Sequence, residues 1–308
     1  MKQEYEAALQ HFQKLSTRSP DSVEGYLFQA AVLQTRAIDY REFRGKEQFD
    51  SLLALARVRA ESIIDAQPQS PWGHYYLGTA LGMESYDRIQ RGEYVTGYFK
   101  GRSALSAIEK ALEIDSTFYD SYSVLGTYYY WKSRKTEFLN WLPFFHDDRV
   151  KGIEYLRKAV EQGRYQRFVA MSNLLWIYLD AGDFGEAEQL ARTALQSYPT
   201  HRIFLHGLAG ALQNQGKWNE SLEFFQRQLK AILDDTPPND YNEIGCRINI
   251  VFVKVAMKDT TEIREHLAEV LAKEQKLFPP HLRAKVEEKF QQARAFEQRL
   301  VNGKISSE

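Results

Sequence analysis

The cluster His146-Asp147-Asp148 is the part of the sequence whose residue types come closest to a chemical site. An imidazole beside two carboxylates could bind a metal ion or exchange a proton. However, no His-x₃-His or Glu-x₂-His pair accompanies the cluster to complete a set of metal ligands. The same residues also suit a helix start, where an aspartate accepts hydrogen bonds from free backbone N–H groups. We therefore expect Asp147 or Asp148 to begin a helix over Arg149 to Gln162, and we expect no metal site.

Glycine and basic side chains occur together in three short fragments, Phe43-Arg44-Gly45-Lys46, Phe99-Lys100-Gly101-Arg102 and Arg149-Val150-Lys151-Gly152. None of them follows the Gly-x₄-Gly-Lys-Ser/Thr pattern that cradles phosphate groups. We expect them to mark turns or bends at the tips of helical hairpins. The tips would then place Arg44, Arg91 and Arg134 along one edge, and an anion-binding role for that edge is the alternative.

The bulk composition restricts the classes of function. Lys and Arg number 40 against 41 Asp and Glu, and a dedicated nucleic-acid surface needs a basic excess. No apolar run approaches the roughly 18 residues of a membrane span. Cys246 is the single cysteine, which excludes an intramolecular disulfide and a cysteine-based zinc site. Gly-x-Ser-x-Gly and His-Glu-x₂-His motifs do not occur, so the sequence predicts neither an enzyme nor a cofactor.

A repeated two-helix unit positions the remaining candidates, and it is clearest between residues 171 and 199. Small side chains at Ala187 and Ala194 let two helices lie close together, Gly182 permits the turn between them, and Pro199 ends the second helix. The matching pattern follows 34 residues later and recurs three times upstream. Regular spacing of this kind predicts a stack of helical hairpins.

The upstream repeats are longer than the others by a constant amount. Twelve residues separate Leu175 from Ala187, whereas 26 separate Gly78 from Ala104 and Gly126 from Gly152. Fourteen extra residues shared between two helices would add about two turns to each. We therefore expect three elongated hairpins followed by ordinary ones.

This pattern resembles the tetratricopeptide (TPR) repeat over nearly the whole chain. The resemblance implies an all-α fold, a right-handed α-solenoid of TPR-type hairpins. The expected parts are a half repeat (1–20), long hairpins (21–68, 69–116 and 117–164), standard repeats (165–199 and 200–236), a degenerate hairpin (237–275), a capping helix (279–303) and a tail (304–308).

Three further segments narrow the resemblance to an uncharacterised bacterial family of elongated TPR-like hairpins that is often exported. They are Tyr128-Tyr129-Tyr130-Trp131-Lys132-Ser133, Leu142-Pro143-Phe144-Phe145 and Asp147-Asp148-Arg149-Val150-Lys151-Gly152. A eukaryotic TPR-like family of inclusion-clearance proteins is similar as well. Neither resemblance supplies a mechanism.

In TPR proteins the first helices of the hairpins line a concave groove that binds an extended peptide. Mapping that side onto this sequence gives Tyr75, Thr79, Met83, Thr127, Tyr130, Trp131, Ser172, Trp176 and His206. Exposed aromatic rings there would be good anchors for a partner. The alternative is that the long helices close over these rings and make them core. The lysine and asparagine of chaperone-binding TPR clamps are not present at the corresponding positions.

The predicted function is therefore an interaction scaffold for a protein or peptide, with no nucleic acid and no membrane span. One alternative is self-assembly, in which an apolar face of the N-terminal half repeat stacks on a second copy. Another is a lipid or small-ligand carrier with an aromatic pocket. A removed leader before Met1 would explain the half repeat, which slightly favours export to the periplasm or outer membrane over the cytoplasm.

Overall fold

The computed structural model describes residues 4–139 and 146–302. Within those ranges the chain forms fourteen α-helices and a short 3₁₀ helix, Glu137–Leu139, and no β-strand. The α-helices are α1 Tyr5–Arg18, α2 Val23–Tyr40, α3 Lys46–Ala66, α4 Pro71–Gln90, α5 Tyr94–Ile114, α6 Tyr119–Lys135, α7 Arg149–Gln162, α8 Arg167–Ala181, α9 Phe184–Ser197, α10 Arg202–Asn214, α11 Trp218–Leu233, α12 Asp240–Ala256, α13 Ile263–Leu271 and α14 Pro280–Val301. The predicted all-α fold is confirmed.

The chain divides into two compact units. The N-terminal unit contains Glu4–Ile38 and Phe43–Ile177, and the C-terminal unit contains Asp39–Glu42 together with the chain from Tyr178 onwards. In the N-terminal unit α3 packs on α4, α4 on α5, α5 on α6 and α6 on α7. In the C-terminal unit each helix from α9 to α14 likewise packs on the next, and α12 also packs on α14.

The predicted lengthening of the early hairpins is confirmed. Helices α2 to α5 have 18, 21, 20 and 21 residues, whereas α8, α9 and α10 have 15, 14 and 13. The third long hairpin is extended differently: α6 has 17 residues, but α7 has 14, like α9. Its extra residues lie mainly between the two helices, and part of that connection, 140–145, is outside the described residues.

The 48-residue spacing of the early repeats is visible as one hydrogen bond made three times. Tyr26, His74 and Tyr122 occupy equivalent positions in α2, α4 and α6, and each side chain contacts the backbone carbonyl six residues earlier. The donor–acceptor distances are 3.0 Å to Pro20 O, 3.1 Å to Pro68 O and 3.1 Å to Ser116 O. These bonds hold the N-terminal end of each first helix against the turn that precedes it.

Glycines set the distance between paired helices. A Cβ atom added to Gly126 on α6 would lie 2.6 Å from the carbonyl oxygen of Gly152 on α7, and the reciprocal distance is 2.7 Å. On α4, a Cβ at Gly78 would lie 2.9 Å from Ala104 O. No real Cβ contact is that short, so only glycine allows these helices their close approach. The fragment Arg149-Val150-Lys151-Gly152, which was expected to mark a turn, is therefore part of a helix–helix contact.

In the C-terminal unit, Glu188 on α9 connects its own helix to the turn between α10 and α11. Its carboxylate accepts hydrogen bonds from Lys217 (2.7 Å), Gln215 (2.9 Å) and Arg192 (2.9 Å). Burial by itself would raise the pKa of Glu188, but the three hydrogen bonds outweigh burial and lower the pKa to about 2.

The end of the C-terminal unit has a core of its own between α12, α13 and α14. Leu282, Val286, Phe290 and Ala293 lie on one face of α14 and are buried against residues such as Val251 and Leu267. The apolar stripe predicted for the last helix is thus the side that packs, and its role as a cap remains a prediction.

Candidate interaction surfaces

The cluster His146-Asp147-Asp148 is the start of a helix. Helix α7 begins at Arg149, whose backbone N–H donates to Asp147 Oδ1 at 3.0 Å, and its guanidinium pairs with the same carboxylate at 2.6 Å. The Arg149 side chain is the main cause of the lowered pKa of Asp147. No group of three side chains able to hold a metal ion occurs in residues 4–139 and 146–302. The helix-start interpretation describes this cluster best.

Tyr75 and Tyr130, predicted to line an open groove, are buried. Their exposed fractions are 1% and 2%, so the prediction that they contact a partner is wrong. The hydroxyl of Tyr75 accepts a hydrogen bond from Gln166 Nε2 at 2.8 Å, and the hydroxyl of Tyr130 donates to Ile177 O at 3.4 Å. Burial raises the pKa of Tyr75 far above its usual value. Both rings belong to the core of the N-terminal unit.

The turn between α7 and α8 covers Tyr75, and Asp120 holds that turn in place. The backbone N–H groups of Tyr165 and Gln166 both donate to Asp120 Oδ1, at 2.9 and 2.8 Å. Asp120 itself is buried at the start of α6. Hydrogen bonds to a charged acceptor are stronger than those between neutral groups, so these two bonds hold the turn firmly.

An aromatic cluster continues beneath this turn. The ring of Trp72 contacts Tyr75, Tyr76 and Phe118, with centroids 6.1, 5.4 and 4.7 Å away, and lies 5.6 Å from Tyr165. Tyr76 donates a hydrogen bond of 2.6 Å to Glu24. At this end of the N-terminal unit the aromatic rings of the long hairpins therefore form core, which was the alternative to an open groove.

Five of the predicted groove residues remain at least partly accessible. Thr79, Met83, Thr127 and Trp131 are half-buried, and Trp176 is 39% exposed. Asn173 Nδ2 donates to Thr127 Oγ1 at 2.9 Å, which places this side of α8 against the same side of α6. These five residues are called the first-helix face below, and their role in binding stays a prediction.

The other two predicted groove residues are differently placed. Ser172 is buried in α8. His206 belongs to the C-terminal unit, where its Nδ1 lies 3.3 Å from Gln228 Oε1 on α11. Burial lowers the pKa of His206, although the Gln228 contact acts in the opposite direction. The ring is therefore neutral at pH 7.

The arginines predicted for the hairpin tips are exposed, but two of them pair within their own hairpin. Arg91 forms ion pairs with Asp87 (2.9 Å) and Glu93 (3.0 Å), and Arg134 pairs with Glu137 at 3.2 Å. Arg44 is exposed beside Gly45, whose φ of +84° makes it the turn glycine of its fragment. Because both side chains are held in ion pairs, Arg91 and Arg134 do not form the predicted anion-binding edge.

The first turns of α5 carry the most exposed group of apolar side chains in the N-terminal unit. Tyr94, Val95, Tyr98 and Phe99 are 69%, 71%, 62% and 64% exposed. Spacings of one, four and five residues place them on one side of the helix. We call these four residues the α5 apolar face.

Glycines on an adjacent side of α5 fix this orientation. A Cβ at Gly97 would lie 2.7 Å from Ile89 Cγ1, and Gly101 is similarly close to Ser85, whose Oγ donates to Gly97 O at 2.7 Å. The glycine side therefore packs on α4, and the apolar face points away from it. The fragment around Gly101, which was expected to be a turn, is helical for this reason.

The α5 apolar face was not predicted, although the sequence carries a signal for it. The residues that pack on α4 and α6 follow the helical period through Gly97, Gly101, Ala104 and Ile108. Four large apolar residues outside that stripe are the pattern of an exposed surface. The sequence carries no comparable signal for Asp120 or Gln166. Asp120 binds the backbone of Tyr165, 45 residues away, and Gln166 binds Tyr75, 91 residues away.

Comparison with known proteins agrees with this architecture. The family model of the tetratricopeptide repeat matches residues 178–238. The fold resembles that of YrrB, a TPR protein described as having an unusual peptide-binding site, with a TM-score of 0.51 and 14% identity over 78% of this chain and 97% of YrrB. Residues 178–238 thus match the TPR family, and the fold of the chain is one that TPR proteins share.

Two other solved structures are similar to this chain. PilW, a type IV pilus biogenesis factor, has a TM-score of 0.50 and 15% identity over 83% of this chain and 98% of PilW. A chain of the APC/C hetero-tetramer Cut9–Hcn1 has a TM-score of 0.57 and 12% identity over 96% of this chain and 47% of its own length. At these identities the likeness concerns the fold. No curated protein matches the sequence, and none of the described helices could cross a membrane.

Proposed function

We propose that this TPR protein is a scaffold that binds a segment of another protein through the α5 apolar face. The observation that supports this proposal is the exposure of four large apolar side chains on one side of a helix. Tyr94, Val95, Tyr98 and Phe99 are each more than 60% exposed. Large aromatic side chains of this kind are the usual anchors of interfaces. Burying one such side chain against a partner is worth about 1.5–3 kcal/mol.

The charge beside the face suggests the partner's chemistry. Arg102 lies one turn beyond Tyr98 on the same side of α5 and is exposed, with no carboxylate partner among the described residues. Lys100, in contrast, is engaged with Glu84 at 3.0 Å. A partner helix with two or three apolar residues on one side and an acidic residue at its end would match this surface.

The first-helix face is the second candidate surface, and the exposed indole of Trp176 supports it. This face is the predicted groove without Tyr75 and Tyr130, because those two rings are buried and cannot contact a partner. Trp176→Ala would test it, provided that the helical circular dichroism signal of the variant is unchanged, because a ring that is 39% exposed also packs on its neighbours.

A quantitative pull-down from an extract of the source organism tests the proposal. We expect the variant Tyr98→Ser/Phe99→Ser to lose at least 90% of the captured partner relative to wild type. The matched control is Leu55→Ser/Val58→Ser on α3, where the side chains are 43% and 55% exposed. Unchanged capture by the α5 variant would exclude this face. Loss of capture by Trp176→Ala instead would assign binding to the first-helix face.

Self-assembly is separated from partner binding by light scattering across concentration. The apolar side chains of α1 do not form the exposed face expected for stacking: Leu9 and Phe12 pack toward α2, and no large apolar residue of α1 is among the exposed ones in residues 4–18. Dimerisation that disappears in Tyr98→Ser/Phe99→Ser would identify a second copy as the occupant of the α5 apolar face.

A further inference from the structure

Three tyrosines and two lysines form a continuous surface along α6 and α7 in the N-terminal unit. Tyr122 and Tyr129 lie seven residues apart on α6. On α7, Lys151, Tyr155 and Lys158 follow one another at intervals of four and three residues. These intervals place each set on one side of its helix. The three rings are half-buried and the two lysines are exposed, and we call these five residues the tyrosine–lysine surface.

Direct contacts join the members of this surface. The ring of Tyr155 lies edge-on to both α6 rings, with its centroid 4.8 Å from that of Tyr122 and 5.8 Å from that of Tyr129. Lys151 Nζ lies 4.2 Å from the ring centroid of Tyr129 and 5.5 Å from that of Tyr155. Lys158 Nζ lies 5.4 Å from the ring centroid of Tyr122 and 5.7 Å from that of Tyr155. Each ammonium group is therefore held by the π-systems of two rings.

The two ammonium groups are positioned but not neutralised. Neither lysine forms an ion pair with a carboxylate of residues 4–139 and 146–302. Burial raises the pKa of Tyr129, the charge of Lys151 acts against this rise, and the charge of Glu109 on α5 adds to it. Glu109 thus lies nearby without pairing with Lys151. Because the rings already hold both lysines in place, an anion that binds them pays less for ordering their side chains.

The spacing of the two lysines indicates the kind of partner that fits. Seven residues of helix place their Cα atoms about 10 Å apart along α7. Acidic side chains seven residues apart on a partner helix have the same spacing, whereas side chains on one side of an extended segment recur at about 6.6 and 13 Å. Bases of single-stranded nucleic acid stack on open ring faces, but here ammonium groups lie over the rings. The arrangement therefore favours a helix of a protein.

We propose that the tyrosine–lysine surface binds an acidic amphipathic helix of a partner protein. The helix carries glutamate or aspartate at positions i and i+7 and a large apolar residue at i+3 or i+4. Each carboxylate pairs with one of the two lysines, and the apolar residue packs on the exposed part of Tyr155 between them. The surface lies on α6 and α7 and does not depend on the α5 apolar face.

Isothermal titration of the full wild-type chain with two synthetic helices tests the proposal at low ionic strength. Both are N-acetylated, C-amidated alanine–glutamine peptides of one composition, with two glutamates and one leucine. In the first helix the glutamates are seven residues apart with the leucine between them on the same side. In the second they are nine residues apart and therefore on opposite sides. We expect the first helix to bind at least fivefold more tightly, and equal affinities would overturn the proposal.

Matched double variants locate the binding of the first helix. Lys151→Gln/Lys158→Gln should raise its dissociation constant at least fivefold, whereas Lys151→Arg/Lys158→Arg should keep most of the affinity. The control Lys110→Gln/Lys135→Gln removes two other exposed lysines of the N-terminal unit and should bind as wild type does. Equal weakening by both glutamine variants would show an effect of net charge alone and would overturn the proposal. The comparison of the two helices on wild-type protein stands even if a variant fails to fold.

Other occupants of the surface give different results. Tyr98→Ser/Phe99→Ser should bind the first helix as wild type does, which separates a failure here from a failure of the α5 apolar face. A single-stranded thymidine oligonucleotide that bound more tightly than the first helix, and lost affinity in Lys151→Gln/Lys158→Gln, would overturn the proposal in favour of nucleic acid. Dimerisation that disappeared in the same variant would overturn it in favour of a second copy of the chain.

Discussion

The contact between Gly126 and Gly152 offers the sharpest test of how the long hairpins are packed. Replacing Gly126 with alanine places a methyl group 2.6 Å from Gly152 O and 2.9 Å from the backbone nitrogen of Leu156. An ordinary contact needs at least 3.4 Å, so α6 and α7 must move apart by about 0.8 Å. Both obstacles are largely backbone, which cannot turn aside as a side chain would.

The expected magnitude follows from two opposing effects. Overpacking of this kind costs about 1–3 kcal/mol, and the upper part of that range applies because the neighbour is a helix backbone. Alanine recovers about 1 kcal/mol through its higher helix propensity. We therefore expect Gly126→Ala to lower the free energy of unfolding by about 1–2 kcal/mol. Gly210→Ala on α10, with no atom within 4 Å of the added Cβ, should raise it by about 0.5–1 kcal/mol.

Urea unfolding followed by circular dichroism at 222 nm compares the two variants directly. The same chemical change should have opposite signs at the two positions. If Gly126→Ala were as stable as Gly210→Ala, the two helices would not approach each other as closely as described. Because Gly126 and Gly152 share one contact, the double alanine variant should cost less than the sum of the single changes.

Three further predictions concern the turn, the C-terminal network and Lys289 of α14. Asp120→Ala should cost about 2–4 kcal/mol in urea unfolding, because two part-buried backbone N–H groups lose a charged acceptor, and Asp120→Asn should cost less; equal stability of Asp120→Ala and wild type would refute this role. Since the pKa of Glu188 is about 2 in the folded chain and near 4.5 when unfolded, its contribution is complete above pH 4.5 and is lost as the pH falls toward 2. After allowance for solvent screening this amounts to about 1–2 kcal/mol, so Glu188→Gln should be less stable at pH 7 and show a flatter acid limb in pH-dependent melting; an unchanged acid limb would contradict it. Lys289→Met should keep or raise the melting temperature, because it removes a half-buried charge from the surface of α12, and a marked fall in melting temperature would contradict this.

Much of the fold could be predicted because small residues at fixed spacing decide how close two helices come. Gly78 with Ala104, and Gly126 with Gly152, mark the paired helices 26 residues apart, and the structure brings each pair together. Each pair lies within one hairpin, so the two residues are near each other both in the sequence and in space. The third hairpin deviates because its additional residues lie mostly in a connection and not in α7.

The candidate site was harder to predict because it depends on contacts between distant parts of the chain. Helical period alone cannot distinguish Tyr75 as a groove residue from Tyr75 as core. Tyr75 is core because Gln166, 91 residues away, donates a hydrogen bond to its hydroxyl, and Asp120 holds Gln166 in position. In the same way the helical pattern of α14 assigns Lys289 to the polar side, and only Gly245 of α12 reveals that the side chain is half-buried.

Site-specific photocross-linking tests the proposed scaffold function most directly. The photoreactive residue p-benzoylphenylalanine would replace Phe99 on the α5 apolar face and, as a control, Val58 on α3, both of which are exposed. After irradiation in an extract of the source organism, we predict one discrete covalent adduct with a different protein at position 99 and none at position 58. Equal adducts at both positions, or no adduct at position 99, would contradict the account.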